Sequence, residues 1–276
     1  MIGGLLVSYH YLREVLTKDP ARTTRHLVKV VGKSIPKVLD SGAYSASTSG
    51  VPVPLLEFGR FIRSHGHWYT WVASLDVIGD PDRTLSNWRA LIREYPVVPT
   101  VHLLTPLHYL DHYLGQGVER MAIGGMVGNR RLGDPDSAEG QWIQEALDRC
   151  AAKQVPVHGF GVTSRKVLDL YNWDSVDSTT AVRNAMFRMV LTPDPVKGYR
   201  VATEADLDPH EAARLLGEWE VVHGAGRRAR LRRNTRVLME ALETTGVRTV
   251  YHAITPNKVD EVSVREGILD HNGGRR

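Results

Sequence analysis

The sequence predicts an α/β fold built around a parallel sheet, most simply a (β/α)8 barrel. Two observations carry this. Short β-branched apolar runs alternate with longer stretches of helical periodicity, the pattern of strands joined by crossover helices. About eight such runs fit within about 250 residues, the usual extent of a closed eightfold barrel. An open doubly wound sheet is the alternative. The 276 residues, 42% hydrophobic and 24% charged, have the composition of a globular protein.

The predicted strands are Gly4–His10, Lys37–Asp40, Trp71–Asp76, Val97–Leu103, Arg120–Gly125, Pro156–Gly161, Asp174–Ser178 and Arg248–Ala253. Helix starts fall between them. Pro54 opens one that packs Leu55, Phe58, Phe61 and Ile62. Asp80 and Pro81 give an N-cap and a first-turn proline ahead of Leu85, Trp88, Leu91 and Ile92. Asp136 precedes a helix with Trp142, Ile143, Ala146, Leu147 and Cys150 on one face. The stretch 181–245 is too long for a simple return helix, so it is expected to carry an added helical, Arg-rich segment within one domain spanning 1–276.

Several function classes are disfavoured. No apolar run reaches the roughly 18 to 20 residues of a membrane span, and the start, MIGGLLVSYHYLRE, has no basic n-region of a secretory signal. Cys150 is the single cysteine, which excludes an internal disulfide and a Cys-rich zinc site. A reducing, cytoplasmic setting is expected. The chain holds no Walker loop, nucleophile elbow or H-E-x-x-H helix. His65 and His67 have metal-pair spacing but precede their strand, on the face of a barrel away from the chemistry.

The polar residues at the strand ends are the informative feature. The predicted strands finish on Asp40, Asp76, His102, Gly124-Gly125, Gly161 and Asp177. In a parallel barrel the C-terminal strand ends share one face, which carries the active site. Each residue also has a plain structural reading. The aspartates, Asp174 among them, serve as helix caps or turn formers elsewhere, His102 as a core histidine, and the glycines as turns. The shared placement favours carboxylate chemistry without a metal, one aspartate as nucleophile and another as acid or base. Such pairs break glycosidic bonds. No metal or organic cofactor is expected.

Charge adds a second feature. The net charge is +4, and the pI is about 9.2. Between Val221 and Met239 there is no acid, yet Arg227, Arg228, Arg230, Arg232, Arg233 and Arg236 crowd one predicted helix. Guanidinium forks match phosphate oxygens, so nucleic-acid contact is expected here, with Arg130 and Arg131 extending the patch.

Five segments, in order, resemble the tRNA-guanine transglycosylase superfamily, whose (β/α)8 enzymes exchange guanine for a 7-deazaguanine. LDSGAYS (Leu39–Ser45) resembles the DSGG/DSGA segment of that family and implies Asp40 as general acid/base. SLDVIGDP (Ser74–Pro81) implies Asp76 as a base-binding group. AIGGMVGN (Ala122–Asn129) is similar to the GGLxVGE segment and implies base contacts from the backbone of Gly124, Gly125 and Met126. HGFGVTS (His158–Ser164) is similar to the H-x-x-G-V-G turn and brings in Gly161. SVDSTT (Ser175–Thr180) resembles the FDSxS segment and implies Asp177 as nucleophile. A second alignment, of WDSV with FDCV, makes it Asp174. His102 falls at a base-reading position. Tyr44 has two readings, a residue that stacks on the base and an ordinary core tyrosine.

The pattern departs from the family in two residue types. The three-cysteine, one-histidine zinc set is missing, and Asn129 stands where a glutamate is expected. No part of these 276 residues reads as an appended RNA-binding domain. The resemblance is therefore nearest to the phage and bacterial branch that inserts 7-deazaguanines into DNA, with tRNA as the alternative substrate. It implies a 7-deazaguanine base and DNA as partners, with a further protein for strand opening as a possible addition. The competing classes are a non-catalytic nucleic-acid-binding subunit on the same fold and a barrel glycosidase or nucleosidase acting on small substrates.

Overall fold

The computed structural model describes residues 1–18, 35–203, 226–254 and 258–273. Its strands are β1 (Ile2–Ser8), β2 (Lys37–Asp40), β3 (Trp71–Ala73), β4 (Val97–Val98), β5 (Thr100–His102), β6 (Met121–Gly124), β7 (Val157–Gly159), β8 (Ser175–Ser178), β9 (Val190–Asp194), β10 (Gly198–Ala202) and β11 (Thr249–Ile254). The helices between and after them are α1 (Tyr9–Lys18), α2 (Ala43–Ser49), α3 (Leu55–His65), α4 (Pro81–Leu91), α5 (His108–Gly115), α6 (Ala138–Ala152), α7 (Arg165–Leu170), α8 (Thr180–Met186), α9 (Gly226–Leu242) and α10 (Lys258–Gly273).

Nine strands form one parallel sheet in the order β4-β3-β2-β1-β11-β8-β7-β6-β5. The two end strands are neighbours in the chain, separated by Pro99 alone. They are halves of one predicted strand, Val97–Leu103. Proline has no N–H to give a ladder, so the half before it pairs with β3 and the half after it with β6. The sheet is thus a nearly closed barrel of the TIM type.

Strand alternation divides the apolar residues into two cores. Leu6, Val38, Trp71, Ala73, Val98, Ala122 and Tyr251 fill the barrel interior. Their neighbours Leu5, Val7, Leu39, Val72, Val97, Val101, Ile123 and Val176 point outward into the layer between barrel and helices. The helix starts follow local chemistry. Asp80 Oδ1 accepts from the Arg83 N–H at 2.9 Å and Pro54 begins α3, as the sequence predicts. Helix α6 is capped by Ser137, whose Oγ accepts from the Gly140 N–H, and not by Asp136.

Seven of the eight predicted strands differ from the observed ones at a boundary, by one to three residues, so that Gly125 and Gly161 fall just after β6 and β7. β1 ends at Ser8, and His10 already lies on α1. β3 ends at Ala73, which leaves Asp76 in the loop that follows. Within 181–245 the described part holds α8, the antiparallel hairpin β9-β10 and α9; the hairpin stands where only helix was expected. Residues 204–225 of that stretch lie outside the described residues. Buried Asn234 on α9 ties this part together. Its Oδ1 accepts from the Leu191 N–H at 2.8 Å, and its amide donates to the carbonyls of Met189 and Ala181.

Helices α9 and α10 cross closely at Gly267, where a Cβ would stand 2.4 Å from the Arg232 carbonyl oxygen. That approach brings acids onto the arginine run. Arg228 pairs with Glu266 at 2.6 Å, and Arg232 with Asp270 at 2.8 Å.

The outer core has the larger share of stability. Phe58 is fully buried, with its ring centroid 5.0 Å from that of Tyr9. Phe58→Ala should cost about 3 to 5 kcal/mol in chemical denaturation, against less than about 1 kcal/mol for Arg232→Ala in its exposed pair.

Candidate active site

Strand register explains why Asp40 ends its strand bare. Val38 faces the barrel interior and Leu39 faces out, so Asp40 returns to the interior, beside Ser8 of β1. The chain then turns through two residues that have to be small. Gly42 has φ +81, and a Cβ there would lie 2.4 Å from the Cβ of His10 and 2.7 Å from Ser8 Oγ. The close approach lets the Gly42 N–H donate back to Asp40 Oδ2 at 3.1 Å. Ser41, fully buried, donates its hydroxyl to Asp76 Oδ1 at 3.1 Å. The small residues thus connect two carboxylates and do not shield one.

Asp76 does not cap the next helix, a role taken by Asp80. Its second oxygen, Oδ2, meets His102 Nε2 at 2.8 Å. His102 sits opposite Gly124 in the β5-β6 register. A Cβ on Gly124 would stand 3.0 Å from His102 Cδ2, so glycine there leaves room for the imidazole.

Asp177, on the inward face of β8, is 7% exposed. Its Oδ1 accepts the Gly161 N–H at 2.7 Å. Gly161 has φ +71, and a Cβ there would strike Val127 Cγ2 at 2.6 Å, so only glycine presents that N–H without strain. His158 Nε2 lies 3.6 Å from the same oxygen, within ion-pair range but longer than a hydrogen bond.

The three carboxylates act on one another. Asp40 is half-buried, and its acidity is strongly perturbed. Burial first, then the charges of Asp76 and Asp177, push its pKa up to about 8, against the weaker opposing pull of the Gly42 N–H. Asp40 is therefore mainly protonated at neutral pH. This arrangement holds a proton on one carboxyl beside two others.

Asp174 does not join this group. It precedes β8, at the opposite end of the barrel, and is paired with Arg120 at 2.6 Å and Arg248 at 3.8 Å. Of the expected backbone contacts, Gly124 and Met126 each use a carbonyl internally, accepting from Leu103 and Asn129. The Met126 side chain is buried in the outer core, while Gly125 is exposed, with φ +76. Tyr44 is no core tyrosine: it is 60% exposed in the first turn of α2. Tyr11, Ile78, Leu104 and Val127 are likewise exposed apolar residues on elements that follow strand ends.

The arginine run looks different in three dimensions. Besides the pairs of Arg228 and Arg232, Arg236 lies 3.7 Å from Glu240. Arg230 is buried and donates to the Ala185 carbonyl, and Arg227 and Arg233 are engaged as well. The run is thus largely compensated, not a bare cationic stripe. Near the mouth Arg131 pairs with Glu139 at 3.3 Å, and Arg130 is exposed.

His65 ends α3, where it stacks on Phe61, and His67 lies on the short turn before β3. Among the described residues no group of three or more His, Cys, Asp or Glu is arranged to hold a metal, and no helix is long and apolar enough to cross a membrane. A surface groove of about 660 Å³ runs along α6 beside Gln141, Gln144, Asp148 and Tyr171 and includes no strand-end residue.

Sequence reasoning overlooked His158, Ser175 and Arg120 as parts of the site. The signal was present in the alternation. Ser175 stands two residues before Asp177, and His158 two before Phe160, so each pair shares the inward face. Comparison of the chain with family models finds no match, and comparison with curated proteins finds none.

The perturbed carboxyl makes a stability prediction. An acid with a raised folded-state pKa leaves stability untouched below its unfolded value near 4. It lowers stability as pH climbs from there to about 8, by about 1.4 kcal/mol per pH unit. Asp40→Asn removes the penalty. Its denaturation midpoint should exceed that of the wild type at pH 8, with the gap closing toward pH 4.

Proposed function

We propose that this chain is a base-exchange transglycosylase of the tRNA-guanine transglycosylase type, replacing guanine in nucleic acid with a 7-deazaguanine. The observation that carries the reading is the strand-end cluster. Asp177 is aimed by the Gly161 N–H, and beside it Asp40 holds a proton at neutral pH. That pairing supplies the nucleophile and the acid that double displacement at a sugar carbon requires.

In this mechanism Asp177 attacks C1′ through an oxocarbenium-like transition state. The bond from C1′ to the guanine nitrogen breaks while Asp40 gives its proton to the departing base. An incoming 7-deazaguanine then yields its ring N–H proton to the Asp40 carboxylate and attacks C1′. The ester to Asp177 breaks, and configuration is retained. Asp76, with an oxygen held by Ser41 and another by His102, accepts donors from the edge of the base. The target nucleotide must be unstacked to reach the mouth. The exposed Tyr44, with the apolar side chains of the neighbouring loops, suits stacking of a base there.

DNA is the favoured substrate class, because the zinc set of the tRNA enzymes is missing from the sequence. A tRNA substrate is the second reading. Retention of the acid cluster argues against a non-catalytic subunit. The pairing of the arginines shifts the expected phosphate contacts away from the whole helix and toward the mouth, where Arg130 is exposed.

Base release separates these readings. Guanine-labelled DNA and guanine-labelled tRNA are each incubated with 7-cyano-7-deazaguanine, and freed guanine is counted. Release from DNA is expected, reduced about a thousandfold or more in Asp177→Ala. Full activity in that variant would sink the mechanism. Because Asp40 must carry the proton when the base departs, the release rate should fall as pH rises through about 8.

A further inference from the structure

His158 is wholly buried inside the barrel, and the mechanism above does not use it. Its ring is enclosed edge-on by Trp71, Phe160 and Tyr251, at centroid distances of 5.0, 4.6 and 5.7 Å. Apolar walls of this kind suit a leucine as well as an imidazole. The polar contacts at the two ring nitrogens need an explanation.

Those contacts form a directed chain. At the floor of the barrel, Arg120 donates to Asp174 at 2.6 Å and to Ser175 Oγ at 3.4 Å. A guanidinium only donates, so it takes an acceptor site of Ser175 and leaves the hydroxyl proton free to point elsewhere. The neighbour available to it is His158 Nδ1, at 3.0 Å. A nitrogen that accepts cannot carry the proton, so the neutral ring has its N–H at Nε2. Nε2 faces Asp177 Oδ1 across 3.6 Å.

We infer that His158 is a positioning residue for Asp177, held by Arg120 and Ser175 in the tautomer that presents Nε2–H to the nucleophile. The inference rests on the proposed function for its consequence in catalysis, but not for the tautomer itself. It gives the Asp174–Arg120 pair a task at the far end of the barrel, orienting the first donor of the chain. The groups facing His158 are Asp177 and Ser175 on β8, Arg120 before β6, and Trp71 and Tyr251 on β3 and β11. Burial lowers the imidazole pKa, against the raising influence of Asp177, so the ring is neutral at pH 7 and acts as a fixed dipole.

The tautomer is read directly by 15N NMR of the full chain labelled at histidine. His158 is expected with Nε2 protonated and Nδ1 bare, and Ser175→Ala should mix the two forms. Catalysis is read by guanine release in two variants. His158→Leu keeps the apolar packing but loses the donor. It should reduce kcat about tenfold or more and move the acid limb of the pH-rate profile to higher pH, with little change in KM. His158→Gln, which places an amide N–H near Nε2, should recover most of both losses. A protonated Nδ1 in the wild type overturns the inference, as does a His158→Leu enzyme with an unchanged pH profile or a His158→Gln enzyme no better than it. The expected tautomer in a protein that releases no base would leave the positioning chain standing and remove the proposed function.

Discussion

Burial of three neighbouring carboxylates in one barrel mouth, and then their mutual repulsion, is the constraint around which the rest of this site is arranged. Like charges brought out of water at close range cannot all persist. Here Asp40 takes the proton, and the other two carboxylates are held by donors. Asp76 receives Ser41 and meets His102, while Asp177 receives the Gly161 N–H. The carboxylates and their donors come from five strand ends, those of β2, β3, β5, β7 and β8, which a closed parallel barrel gathers on one face. The small residues at the mouth follow from the same need. Gly42, Gly124 and Gly161 each sit where a Cβ would press on a neighbouring residue of the site.

The two ends of the barrel divide the work. The floor carries charge that is paired off, Asp174 with Arg120 and Arg248. The mouth carries the strand-end carboxylates, Asp177 buried and Asp40 and Asp76 half-buried. Between them the interior is mostly apolar, and a polar line from Ser175 to His158 crosses it. A polar line through an apolar core is costly unless each member is satisfied, and its course toward Asp177 gives it a reason to exist.

Much of this is legible in the sequence. All eight barrel strands follow from alternation and length, and Asp40 and Asp177 emerge as inward residues at strand ends. What stayed hidden depends on contacts remote in sequence. The arginine run reads as uncompensated because Glu266 and Asp270 lie 38 residues beyond their partners. Asp174 and Asp177 look equivalent in NWDSVDSTT, yet three residues of extended chain span about 10 Å and put them at opposite barrel ends. The hairpin β9-β10 escaped notice because Pro193 interrupts its first strand, and proline within a run argues against a strand. The strand-end residues that the motifs contain, Asp40, Asp76, Gly161 and Asp177, lie at one end of the barrel.

The most direct test of the account is to look for the bond it requires. The protein would be mixed with a guanine-containing DNA oligonucleotide, denatured rapidly, digested, and the peptide containing Asp177 analysed by mass spectrometry. The account predicts a nucleotide ester on Asp177 in the wild type and none in Asp177→Ala. An adduct on any other residue, or guanine release that proceeds with no adduct at all, would contradict it.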